Sequence, residues 1–266
     1  MKNAAIATDS AHIDYLLHLA DNALVLGQRN AEWCGHGPVL EEDIALANIS
    51  VDLIGQARLL YQHVALLKAD GATEDTLAYF RDAPEFRNFT LLELPHSVDG
   101  GERDYAVTIV RNFLYSTLMV LLWDILQTSS DPQLAAIAGR SVKETRYHLR
   151  HSRDWLVRLG DGTDESHQRT QSALDHLMPW TQEFWTPCEA KTAACVSGVG
   201  VDVVSLRARW DERVNDALTE ATLQRPHSDN ASTIPARGKY GTHSSHLHAL
   251  LNEMQSLARQ QPRAQW

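Results

Sequence analysis

Carboxylates and imidazoles one helical turn apart are the residues of this chain that could hold a metal. Asn48, Asp52 and Gln56 recur every fourth residue and so form a polar ridge along a helix. In the run Lys143-Glu144-Thr145-Arg146-Tyr147-His148, Glu144 and His148 share a helix face. Glu93-Leu94-Pro95-His96 is the one literal Glu-x-x-His. A carboxylate-bridged di-metal centre needs a Glu from each of two helices and a Glu-x-x-His pair from each of two more, because that spacing aims both groups at the same ions. The chain falls short of this. Pro95 interrupts the helical turn between Glu93 and His96. Thr145 stands three residues before His148, and the corresponding turn of the other long helix reads Leu53 and Gln56. Neither Tyr105 to Trp123 nor Asn22 to Ala31 contains a carboxylate.

Two readings of the remaining groups stay open. Asp52, Glu144 and His148 could bind one metal as a reduced set. Alternatively Asn48, Asp52, Gln56, Glu144, Arg146 and His148 satisfy one another as a buried polar and ionic network in a metal's place. A further pair, His243 and His246, opens a C-terminal helix and is read as capping and packing. Arg237 and Lys239 before it could receive an anion at that helix N-terminus, but an ordinary surface loop or subunit contact fits them as well.

The elements that position these residues are helical throughout. Gly35, Gly37 and Pro38 form a turn, and the next residues to Lys68 contain no Pro and only Gly55, which predicts one helix of roughly 40 Å. Pro38 is expected in its first turn, and Glu41, Glu42 and Asp43 place negative charge at the positive end of its dipole. Ile44, Ala47, Val51 and Ile54 make one apolar stripe; Leu46, Ile49, Leu53, Leu60 and Leu67 make another. A helix apolar on two sides is expected inside a bundle. Helices are also predicted from His12 to Ala31, Arg103 to Gln127 and Asp131 to Leu159, the last with Asp131 as N-cap and Gly160 as its stop. The stretch Asp70 to Pro95 is long enough to cross the end of a bundle. This is an all-α pattern: a ferritin-like four-helix bundle at about residues 12–160, with C-terminal helices at about 162–260, in one domain over 1–266. Those later helices are placed at Asp164 to Trp185, Val203 to Leu223 and His243 to Gln260. Residues 186–200 are expected to be irregular and 224–242 a long loop.

Lys+Arg 24 against Asp+Glu 34 gives a net charge of −10, which disfavours nucleic acid and anionic membranes as partners. Cys34, Cys188 and Cys195 form neither a CxxC pair nor an even set, as expected of a reducing compartment. No apolar run is long enough to span a bilayer, so a cytoplasmic protein is expected. Trp33 and Trp266 are the tryptophans expected at an interface.

Four motifs carry a resemblance: Glu32-Trp33-Cys34-Gly35-His36-Gly37-Pro38, Asp52-Leu53-Ile54-Gly55-Gln56-Ala57-Arg58, Lys143 to Arg150, and Gly241-Thr242-His243 with His246-Leu247. Together they resemble the C subunits of bacterial phenylacetyl-CoA epoxidase, a multicomponent oxygenase of aerobic phenylacetate degradation. The resemblance implies a structural, non-catalytic subunit with no cofactor of its own. Its implied partner is a homologous catalytic A subunit that carries the di-iron centre and binds the CoA thioester, with further small and reductase components. It also implies that Leu53, Gln56, Thr145 and His148 occupy former ligand positions: the catalytic relative reads Asp-Glu-Ala-Gly-His where this chain has Asp52 to Gln56, and Lys-Glu-Glu-Ser-Phe-His where it has Lys143 to His148. Only the histidine persists. The competing reading is a metal-dependent oxygenase that uses Asp52, Glu144 and His148.

Overall fold

The computed structural model describes residues 2–98, 100–226, 237–262 and 264, with side chains from residue 10 onward. Asp99, Gln265, Trp266 and the middle of the predicted 224–242 loop lie outside the described residues. Among those described, the regular structure is helical, with a single isolated antiparallel bridge between Arg237 and Thr242. The chain divides into two compact units, the first made of Met1–Leu94, Cys188–Gly200 and Arg237–Trp266, the second of Pro95–Pro187 and Val201–Ala236.

The first unit is built on α1 (Lys2–Ala31) and α2 (Leu40–Lys68). They run antiparallel: the rings of His12 and His63 meet edge to face, and Gly27 lies against Leu53 and Ile54. The turn between them is closed by Asp43, whose Oδ2 accepts from the N–H groups of Gly35 (2.7 Å) and Gly37 (3.2 Å). A Cβ on Gly37 would come within 2.8 Å of Asp43, so the turn requires glycine there. Pro38 precedes α2 instead of entering its first turn, because Val39 adopts the extended N-cap conformation. Of the two apolar stripes on α2, Leu46, Ile49, Leu53 and Leu60 are core. The other does not go inside as expected: Ile44 and Val51 are 53% and 68% exposed, because no described element of this chain covers that side. Leu67 is also exposed, and Trp33, expected at an interface, is buried.

Three further α-helices belong to this unit among the described residues: α3 (Glu74–Tyr79), α8 (Glu189–Val196) and α10 (Ser245–Gln260). The predicted irregular stretch 186–200 therefore contains a helix. Gly200 turns the chain closely over it, where a Cβ would meet Ala194 at 2.9 Å.

The second unit pairs α4 (Tyr105–Leu126) with α5 (Pro132–Gly160). Asp104 caps α4 by accepting from Ala106 N–H, and Asp131 caps α5 by accepting from Gln133 and Leu134 N–H. Contacts of Tyr105 with Trp155 and of Asp124 with Arg146 show the two helices antiparallel. α4 is long and apolar enough to cross a membrane by composition, yet its apolar window is fully buried within the fold. Around the pair lie α6 (Asp164–Leu177), the short α7 (Gln182–Trp185) and α9 (Arg207–Glu220). The single helix predicted over 164–185 is broken at Pro179, where the chain tightens into a 3-10 turn. The Trp210 indole N–H donates to the Leu114 carbonyl at 3.1 Å and ties α9 to α4.

Candidate functional site

The positions that the resemblance marks as former ligands carry buried side chains, Leu53 and Gln56 in the first unit and Thr145 and His148 in the second. On α2, Leu53 and Gln56 are each 3% exposed. Asp52 is half-buried and Asn48 is exposed, so Asn48 does not belong to a buried network. The reason is helical drift: residues four apart advance by about 40° around the axis, so a ridge that is inside at Gln56 has rotated out at Asn48. On α5, Thr145 and His148 are buried. Glu144 is half-buried and accepts from Arg140 one turn away at 3.0 Å. Arg146, expected in the buried network, is exposed and reaches Asp124 at 3.2 Å. One residue beyond Thr145 it points about 100° away from the inward face.

Taken separately, neither pair offers the donors of a di-iron centre. Such a centre needs four carboxylates and two imidazoles. At the buried positions, Leu53 presents only carbon, Thr145 a hydroxyl and Gln56 an amide. Among the described residues of α1, the one fully buried carboxylate, Asp21, is already saturated. It accepts from Tyr61 Oη at 2.5 Å, from both terminal nitrogens of Arg81, and from Arg87 N–H at 2.7 Å. Burial pulls the Arg81 guanidinium's pKa down, but the Asp21 carboxylate offsets this and holds the pKa above its ordinary value. Burial, then the Asp21 charge, pushes the Tyr61 phenol well above 10.0. Arg81 also lies over the Phe86 ring at 4.2 Å. A cation is thus already in place beside this carboxylate: the side chain of Arg81.

A second buried carboxylate, Glu93, organises the C-terminal return of the chain. Its Oε1 accepts from Asn88 Nδ2 (3.0 Å) and pairs with His243 Nδ1 (2.5 Å). Its Oε2 accepts from Ser244 N–H (2.8 Å) and from Ser244 Oγ (2.7 Å). Ser244 is the N-cap residue of α10, so Glu93 supplies from a distant segment the anionic cap that the helix start needs. His243 packs beside the start of α10, bound to Glu93 and to the Phe86 carbonyl and to no backbone group of the helix; His246 is exposed and offers its backbone carbonyl to Arg29. His96 is bound elsewhere, its Nδ1 at 2.6 Å from Thr108 Oγ1. Gly238 in the 3-10 turn ahead of α10 approaches so closely that a Cβ would lie 2.2 Å from the Asn88 carbonyl oxygen.

His18 is a buried imidazole that sequence spacing did not single out. Its Nδ1 lies 2.6 Å from the Arg87 carbonyl and its Nε2 3.3 Å from Asn22 Nδ2, so it donates at the first and accepts at the second. Burial, followed by the charge of Lys191, holds its pKa well below 6.5 and keeps the ring neutral.

The sequence matches the family described as phenylacetic acid catabolic protein over residues 1–266. It is 46% identical over 252 residues to the Escherichia coli protein named as the C subunit of 1,2-phenylacetyl-CoA epoxidase, a match that covers 95% of this chain and 98% of that one. All-helical and ferritin-like in class, the chain belongs to the phenylacetic acid catabolic protein family.

Proposed function

We propose that this chain is a structural subunit of a phenylacetyl-CoA epoxidase, acting in phenylacetate catabolism in the cytoplasm without chemistry of its own. In this reading residues 1–266 form one ferritin-like domain that binds and steadies a homologous catalytic A subunit carrying the di-iron centre, alongside small and reductase components. The observation that carries the reading is the burial of Leu53 and Thr145, which place carbon and a hydroxyl where the catalytic relative is expected to carry carboxylates. The outward stripe of α2, Leu40, Ile44 and Val51, supports it as an apolar face that a partner helix can cover. Burying such a face stabilises association by roughly 25 cal/mol per Å2 before the costs of ordering.

The test is iron content per chain, by elemental analysis after gel filtration of protein expressed alone with ample iron. Less than about a tenth of an iron per chain is expected, since a di-iron site holds two. One or two irons per chain would overturn the reading and make Asp52, Glu144 and His148 the ligands to mutate first.

A further inference from the structure

Helix α5 carries six arginine or lysine side chains and only two carboxylates, in a chain whose net charge is −10. Arg140, Lys143, Arg146, Arg150 and Arg153 follow one another at intervals of three or four residues, which lines them along one side of the helix over about 20 Å. The first four are exposed. Three of the five meet carboxylates of the same chain: Arg140 with Glu144, Arg146 with Asp124, and Arg153 with Glu220. Lys143 and Arg150 meet none among the described residues. Between them on the surface stands Tyr147, 39% exposed, with the Arg150 guanidinium 5.6 Å from its ring centre. Asp154, one turn past Arg150, closes the cationic row.

We infer that this face is the landing site of an acidic protein that visits the complex to deliver electrons. The inference rests on the proposed membership of an epoxidase. Epoxidation by O2 puts one oxygen atom on the ring and releases the other as water, which consumes two electrons and two protons. Those electrons come from a donor protein that must arrive and leave. Transient encounters of this kind are small and steered by charge rather than held by a large apolar area. The geometry of α5 suits them. Its cations spread along a convex helix instead of converging around a cavity, which favours a row of carboxylates on a protein over a phosphate-sized ligand. The net charge of −10 opposes such a partner overall, so a cationic row favours the orientation that meets it. Tyr147 supplies an aromatic anchor within it.

The experiment uses the assembled complex and its isolated electron-transfer component, with substrate-dependent turnover followed as donor concentration is varied. The double variant Lys143→Glu/Arg150→Glu alters the two cations that have no described carboxylate partner in the chain. It is expected to raise the KM for the donor at least about tenfold at low salt, leaving kcat at saturating donor unchanged. Wild type should show a comparable rise between about 50 and 200 mM NaCl, the range over which exposed charges become screened. Arg209→Glu on α9 is the control and should leave the KM where it was. An unchanged donor KM in the double variant, or one insensitive to salt, overturns the assignment. So does inorganic pyrophosphate binding that the double variant abolishes while the donor KM stays put, since the face would then hold a phosphate ligand. If the double variant fails to co-elute with the catalytic subunit on gel filtration, the face is a permanent interface and the electron-donor assignment falls. Failure of the wild-type chain to co-elute would instead refute the scaffold reading.

Discussion

Glu93 and His243 stand 150 residues apart in the chain and 2.5 Å apart in the fold, and between them they fasten α10 to the segment that follows α3. His243 is bound on both sides: Nδ1 faces Glu93 and Nε2 lies 3.0 Å from the Phe86 carbonyl oxygen. Both ring nitrogens thus face oxygen atoms, one on Glu93 and one on the backbone of Phe86.

Removing the carboxylate leaves Asn88, His243 and both donors of Ser244 without their shared acceptor. Glu93→Ala is therefore expected to cost about 3–5 kcal/mol, the range for breaking one side of a buried charged network. Urea unfolding would measure it, and hydrogen exchange should show α10 losing protection before α5. A loss below about 1 kcal/mol, the size of one ordinary hydrogen bond, would show that Glu93 is not the fastening point.

Asp21 and Arg81 give a second test with a different signature. Arg81→Ala strands a fully buried carboxylate and should cost about 3–5 kcal/mol, whereas the apolar pair Asp21→Leu/Arg81→Met should recover much of that loss. A double variant no better than the single one would mean that the pair acts through hydrogen bonds to Arg87 and Tyr61 more than through charge.

Acid should loosen the fold through His18. Its folded pKa lies well below the 6.5 of a free imidazole, so the unfolded chain takes up a proton that the folded chain refuses. Its contribution is complete above pH 6.5 and falls as pH drops below that value toward the folded pKa, by up to about 1.4 kcal/mol per pH unit. Stability measured from about pH 7.5 to 5 should show this slope, and His18→Gln should flatten it. The same slope in both proteins would exclude His18 as its source.

On the surface, Ile44→Lys/Val51→Lys should leave the chain folded, with its melting temperature within a few degrees of wild type, because both side chains already face solvent. It should abolish co-elution with the catalytic subunit and, with it, turnover of the mixture. Normal turnover in a mixture shown not to co-elute would remove the scaffold role.

Much of the architecture is legible in the sequence because it is local. Asp131 followed by Pro132 marks the start of α5, and unbroken apolar periodicity marks α2 and α4. The metal-ligand spacing is local too, and from it the absence of carboxylates at Leu53 and Thr145 can be read directly. What periodicity does not reveal is which neighbour covers a face: Ile44 and Leu46 are equally apolar in sequence, yet one is exposed and the other is core. The polar ridge misleads for a related reason, since its drift around the helix buries Gln56 and exposes Asn48. The fastenings at Asp21 and Glu93 are hidden because their partners are 60 and 150 residues away, with no repeat or motif joining them. Helix α8 is short and rich in alanine, so its register is set by packing on α1 rather than by a pattern of its own.

The first unit is made from both ends of the chain, and this has a consequence for how the protein is born. At about 5–20 residues per second of synthesis, roughly 8–30 s separate the emergence of Glu93 from that of His243. During that interval the ribosome has released α1 and α2 with the Glu93 carboxylate still waiting for its clasp, and the nascent unit is open to chaperones and proteases. A message truncated before codon 243 would leave it so permanently. Helix α10 therefore closes the first unit only on chains synthesised past residue 243, a dependence on the order of synthesis that the folded contacts alone impose.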